Sequence, residues 1–364
     1  MNKFFKKPFL ILIMVQIVFL TYAIFNNHHF TNDSVEYLNQ AGNLIEHGSL
    51  YCGDYNTLEK DPGLYSRRPP AYAVFLLMTT FFLHLNLGAL LIQCFLSVFN
   101  IYIGYKILQL IFTGKASFVR YVFLFLLFPT QFIYAVTYMS EIPFQTALLL
   151  SIFYLFRFEK SGDYKTLYLS HLFLALTYLF KPITLFLWLG LILYTITIKS
   201  DHRGSKHLTL LGLGHFLLLG FFFLNNYSLT GIAEYTSIGR KVIINYNIPA
   251  VLTRAYGEEV AQHKMDSVQN EMTGMPYVMQ CVYTDNFIRN TLLTRPLDFS
   301  LTHALGVPRF FLESGRWDLE LWFNGKDHAG TLPSLKEAFE EKEYADPLPF
   351  SEPGRFYIPF IIFW

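Results

Sequence analysis

The sequence predicts an all-α polytopic membrane protein, with about seven transmembrane helices, a partial eighth, interfacial helices in the first outer loop and a mixed outer segment near the C-terminus. Three observations carry this. The 364 residues are 53% hydrophobic with a mean hydropathy of +0.33. Only 15% are charged, against about 25% in soluble domains. The apolar residues also gather into runs of spanning length. A net charge of +1 leaves no electrostatic footprint for nucleic acid, so no such partner is expected. The 18% aromatic content excludes a disordered or collagen-like chain.

The first run, Pro8–Phe25, follows Lys3, Lys6 and Lys7. No small-x-small cleavage site succeeds it at Asn26-Asn27-His28-His29, so it reads as an uncleaved anchor. Further runs are Gly88–Ile111, Phe118–Met139, Ile142–Phe156, Thr166–Phe180, Ile183–Ile198 and Leu208–Leu224. Ala71–Leu85, after Pro69-Pro70, reaches about 22 Å at 1.5 Å per residue, against a hydrocarbon core of about 30 Å.

Basic residues set the topology. If 71–85 lies in the outer interface and the N-terminus is cytoplasmic, then Lys3, Lys6, Lys7, Lys115, Arg120, Arg157, Lys160, Lys165, Lys199, Arg203 and Lys206 all fall inside. If 71–85 spanned, every one from Lys115 onward would face out, against the positive-inside rule. The plasma (inner) membrane is therefore the expected location, with residues 26–70 and 226–354 outside. Arg355–Trp364 is too short to span and reads as the start of a possible further helix.

The outer loops hold the candidate chemistry. Val35, Leu38, Ala41, Leu44 and Ile45 recur at helical spacing after Asp33. Asp33 with Glu36 reads either as a helix cap or as a carboxylate pair available for general-base work. Arg67 and Arg68, before Pro69-Pro70, read as interfacial anchors or as a grip on a lipid phosphate. Ser140-Glu141-Ile142-Pro143 has the residues of an ordinary helix start. Lys181 is the exception to the charge bias, a lone basic residue on a short outer loop. It reads as a snorkelling side chain or as the partner of an anion.

Weaker signals have ordinary readings. His28, His29 and His47 lack metal-site spacing, although a divalent metal held by Glu36, Glu141 and histidines remains a possible cofactor. Gly212 and Gly214 read as close helix contacts. Cys52, Cys94 and Cys281 show no CxxC spacing, and pairing of Cys52 with Cys281 is left open.

The ordered set Asp33-Ser34-Val35-Glu36-Tyr37, Arg67-Arg68-Pro69-Pro70-Ala71-Tyr72, Ser140-Glu141-Ile142-Pro143, Lys181-Pro182 and Asn225-Asn226-Tyr227-Ser228-Leu229-Thr230-Gly231 resembles the GT-C membrane glycosyltransferases. The similar branch holds protein O-mannosyltransferase-like enzymes, the aminoarabinose transferase of lipid A and RgtA/B/C/D-like bacterial relatives. The resemblance runs over roughly residues 1–245 by eye, and only the order of its motifs makes it specific.

It implies a GT-C-like transmembrane domain over 1–225, including the outer loop 26–70 and interfacial helix 71–85. It also implies sugar transfer from a polyprenyl-phosphate donor to a hydroxyl of a glycan, lipid or protein on the outer face. Asp33 would then be the base, with Glu36 and Glu141 as further catalytic carboxylates. Arg67, Arg68 and Lys181 would bind the donor phosphate, and Tyr37 and Tyr72 would line the pocket. Where the family often has adjacent acids, Ser34 intervenes here, so Asp33 and Glu36 both stand as candidate bases. The alternatives are a transporter or flippase, or a non-catalytic polysaccharide assembly protein. Acids confined to the outer flanks of nearly acid-free membrane runs count against the first, and the second stays open.

Overall fold

The computed structural model describes residues 3–83, 87–112, 117–126, 129–198, 202–312 and 322. The expected start of a further helix at 355–364 lies outside them, as does Lys115. Among the described residues every regular element is helical. The first ten α-helices are α1 (Lys3–Phe25), α2 (Asn32–His47), α3 (Ala71–Leu83), α4 (Gly88–Ile111), α5 (Phe118–Leu126), α6 (Thr130–Ala135), α7 (Glu141–Ser161), α8 (Tyr164–Phe180), α9 (Leu187–Ile198) and α10 (His202–Thr230). The C-terminal segment expected to be mixed is helical through α11 (Ile238–Val242), α12 (Ile248–Tyr256), α13 (Glu258–Met272), α14 (Tyr277–Thr294) and α15 (Pro296–Leu312). A π-turn, Ile243–Asn247, joins α11 to α12. Ile244, Ile248, Leu252, Ala261 and Ile288 give this segment its own small core.

Among the described residues three helices are long and apolar enough to cross a membrane: Lys7–Phe25, Gly88–Ile111 and Ser205–Thr230. The other expected crossings fall short for physical reasons. α7 has the length but carries Arg157, Glu159 and Lys160 in its last turns. α8, with 17 residues, reaches about 26 Å, and α9 about 18 Å. The run 118–139 is not a single helix: Pro129 sits in a turn before α6, and residues 136–140 leave the helix.

α7 packs along α8 and α4, while α1 lies against α4, α5 and α6. α3 touches α2, α4 and α8, and α10 touches α8 and α9. Backbone freed by the irregular stretch needs partners in an apolar interior. Gln93, fully buried on α4, supplies them: its Nε2 donates to the Thr137 carbonyl at 2.7 Å and the Tyr134 carbonyl at 3.3 Å. Asn100 donates to the Ile142 carbonyl and to Gln145, and Gln145 and Gln131 exchange reciprocal amide bonds.

Gln93 also accepts from the Tyr72 hydroxyl at 2.6 Å. Gln93→Leu keeps the volume but orphans both sides of this junction. An unsatisfied buried group costs about 1–3 kcal/mol, so the variant should melt at a lower temperature in detergent. An unchanged melting curve would remove Gln93 from this role.

Candidate functional site

α2 begins where Thr31 accepts from the Ser34 amide and Ser34 Oγ accepts from the Thr31 amide. This reciprocal cap corrects the reading of Asp33 as the capping residue. With Thr31 holding the helix end, the Asp33 carboxylate is released for other contacts. The buried face of α2 also differs from the apolar set expected. Val35 and Ile45 are exposed, and Ser34, Tyr37, Gln40 and Ala41 point inward. Asp33, Glu36, Tyr37 and Gln40 follow at i, i+3, i+4 and i+7, which is one helix stripe.

That stripe meets Arg68. Its Nη2 lies 2.7 Å from Asp33 Oδ1 and its Nε donates to Glu36 Oε2 at 2.5 Å. Gln40 Nε2 fixes the Arg68 carbonyl at 2.9 Å, and the guanidinium lies 5.0 Å from the centre of the Tyr37 ring. Burial opposes the positive charge on Arg68, but Tyr37, Asp33 and Glu36 outweigh it and hold its pKa above the ordinary value. Side-chain exposure falls from 46% at Asp33 to 23% at Glu36 and 10% at Arg68. Asp33 is thus the accessible carboxylate of the pair.

Tyr37 carries the cluster across to α7. Its hydroxyl shares a hydrogen bond with Ser140 Oγ at 2.9 Å, and its ring meets Tyr72 edge-on with centroids 4.7 Å apart. Burial pushes the Tyr37 phenol up to about 12, so it stays a neutral hydrogen-bonding group. Ser140 makes no cap bond to α7. Glu141 follows it, and its Oε1 accepts from Lys181 Nζ at 2.6 Å. Lys181 is presented by extended backbone at the end of α8. The anion that partners Lys181 is therefore Glu141.

All eight sequence-predicted residues belong to this one connected cluster. Tyr72 is fully buried beneath Tyr37, packed with Leu76, Leu90 and Phe180, and supports the site from below. Arg67 is also buried; its Nη1 lies 4.0 Å from Glu36 Oε1. Arg67 Nε and Nη1 and Glu141 Oε2 are buried polar atoms with no hydrogen-bond partner.

Sequence reasoning missed the strap that closes the loop bearing the arginines. Asn226 Nδ2 donates to the carbonyls of Glu234 and Tyr235, turning the chain back after α10. Thr236 then donates to the Arg67 carbonyl at 2.8 Å, Ser237 to the Gly63 carbonyl at 2.7 Å, and Ser66 to Glu234 Oε1 at 2.9 Å. Tyr235 reaches the Tyr178 carbonyl at 2.8 Å. Asn226 in the Asn225–Gly231 motif was the available signal.

Among the described residues no group of three or more His, Cys, Asp or Glu is placed to hold a metal. His29 is buried, with Nδ1 3.2 Å from the Ala23 carbonyl and its ring against Phe30 and Tyr138. Cys52, Cys94 and Cys281 are all free.

Comparison with protein-family models, with curated proteins and with solved structures finds no match.

Proposed function

We propose that this chain is a polytopic membrane glycosyltransferase, moving a sugar from a polyprenyl phosphate to a hydroxyl acceptor at the outer membrane face. The observation that carries the reading is the Arg68 fork on Asp33 and Glu36, joined through Tyr37 and Ser140 to the Glu141–Lys181 pair. A half-exposed carboxylate lies against Arg68, and Lys181 joins the same cluster through Glu141, Ser140 and Tyr37.

Such a cluster has the parts that inverting transfer requires. Asp33 takes the proton of the acceptor hydroxyl as its oxygen bonds to the anomeric carbon. The bond from that carbon to the phosphate oxygen breaks, and polyprenyl phosphate leaves with the electron pair. Arg68 and Lys181 hold the charge that appears there. Glu141 occupies Lys181 until the phosphate competes for it. The unpartnered Arg67 and Glu141 atoms are further polar groups for donor or acceptor oxygens.

The test is release of polyprenyl phosphate from a radiolabelled polyprenyl-phosphate sugar by the purified chain in detergent. Sugar transferred to an added hydroxyl acceptor, with inverted anomeric configuration, is the expected outcome. Intact donor after binding is demonstrated would leave a carrier or assembly role and end the enzymatic reading.

A further inference from the structure

Away from this cluster, α8 and α10 enclose a groove of about 610 Å³ with an apolar lining. Lys165, Tyr168, His171, Leu172, Gly214 and His215 mark its course. From Lys165 to Tyr178 the groove follows α8 for about 20 Å, at 1.5 Å per residue. The two glycines once read alike part company here. A Cβ on Gly212 would meet Ile192 at 3.4 Å, whereas one on Gly214 would meet nothing within 4 Å. Gly214 makes space rather than a contact.

Two features say what fills it. The first is a hydrogen-bond chain that ends one partner short. His215 Nδ1 lies 2.9 Å from the Tyr178 hydroxyl, and His215 Nε2 lies 2.9 Å from His171 Nδ1. His171 is 2% exposed, yet its Nε2 has no partner. If Tyr178 donates to His215 Nδ1, then His215 Nε2–H donates to His171 Nδ1. His171 Nε2 then bears a hydrogen that lacks an acceptor.

The second feature is charge at one end. Lys165 and Lys206 are both exposed, and among the described residues neither is ion-paired. His207, next to Lys206 in sequence, shares a hydrogen bond with Tyr168 at 2.8 Å and stacks on Tyr164. Asp163, two residues before Lys165, has an Oδ1 that accepts the Lys165 amide to cap α8.

We propose that the groove binds one anionic phospholipid. Its phosphate lies between Lys165 and Lys206, an acyl chain follows the α8–α10 seam over Leu172 and Gly214, and an ester oxygen accepts from His171. Lys181, at the other end of α8, is about 24 Å away along the helix axis. The bound phosphate is therefore in the opposite leaflet from the donor phosphate. The site rests on the membrane reading alone and is independent of sugar transfer.

Purified full-length chain is exchanged into mixed micelles holding phosphatidylglycerol or phosphatidylcholine, and retained lipid is counted by native mass spectrometry. The expected result is one phosphatidylglycerol per chain, preferred roughly 30-fold over phosphatidylcholine, as two interfacial lysines imply. Lys165→Glu with Lys206→Glu should erase the preference. Gly214→Leu, built into open space, should cut retention of both lipids while the melting temperature holds. Equal retention of the two lipids by the parent chain, unchanged retention in Gly214→Leu, or preferential capture of a polyprenyl phosphate overturns the proposal.

Discussion

Asp33→Asn is expected to lower sugar transfer by about 10²–10⁴-fold, the usual contribution of a positioned general base, with little change in stability. The amide keeps a carbonyl oxygen facing Arg68 Nη2, so the 2.7 Å contact survives as a neutral hydrogen bond. The start of α2 is unaffected because Thr31 and Ser34, not Asp33, make its cap. What disappears is the ability to take a proton. Glu36→Gln provides the contrast. Glu36 is half as exposed and faces both arginines, so its role is to hold them. Its amide should impair donor binding more than turnover. The measurement is initial rate against donor concentration for both variants, with circular dichroism to confirm equal helix content. Full activity in Asp33→Asn would sink the base assignment. A large turnover loss in Glu36→Gln alone would transfer that assignment to Glu36.

The parts legible in sequence were those governed by local composition. The uninterrupted apolar run from Gly88 to Ile111 matches α4 at both ends. The run Ala71–Leu85 is helical over its described part, the 13 residues of α3. The irregular stretch after Pro129 was hard to read because 118–139 is mostly apolar on both sides of the proline, and hydropathy does not register a proline turn. The buried face of α2 was misread for a related reason. Apolar spacing favoured Val35 and Ile45, whereas tertiary partners recruit the polar Ser34 and Gln40.

The charges of the site were found as exceptions to topology, but their pairings were not. Glu141 and Lys181 are 40 residues apart, and Arg68 and Glu36 are 32 apart. Only the packing of α2 and α3 against α7 and α8 brings them together, through the cluster of Tyr37, Tyr72, Leu76, Ala147 and Phe180. No periodicity encodes contacts of that range. The charged C-terminal stretch looked mixed for the opposite reason. Its helix α13 is mostly polar and α14 intersperses polar with apolar residues, so their small shared core left a weak pattern.

Arg68→Met should be the most disruptive single change in the outer loop, and its effect separates folding from catalysis. Arg68 is the only residue ion-paired to both Asp33 and Glu36 among the described residues. Removing it leaves two neighbouring carboxylates with the 4.0 Å contact of Arg67 as compensation. Breaking a buried pair costs about 3–5 kcal/mol. Asp33 is 46% exposed and solvent screens its share, so a loss of about 3 kcal/mol is the better expectation. Transfer should also vanish, but that result alone could reflect unfolding.

The informative variant therefore combines Arg68→Met with Asp33→Asn and Glu36→Gln. With no charge left to strand, most of the lost stability should return, because replacing a whole buried ionic group by neutral ones is often close to neutral. Activity should not return. A triple variant as unstable as Arg68→Met would mean that Arg68 acts through packing on Tyr37 and its carbonyl bond to Gln40. A stable triple variant that still transfers sugar would show that neither the base nor the phosphate cation lies in this cluster.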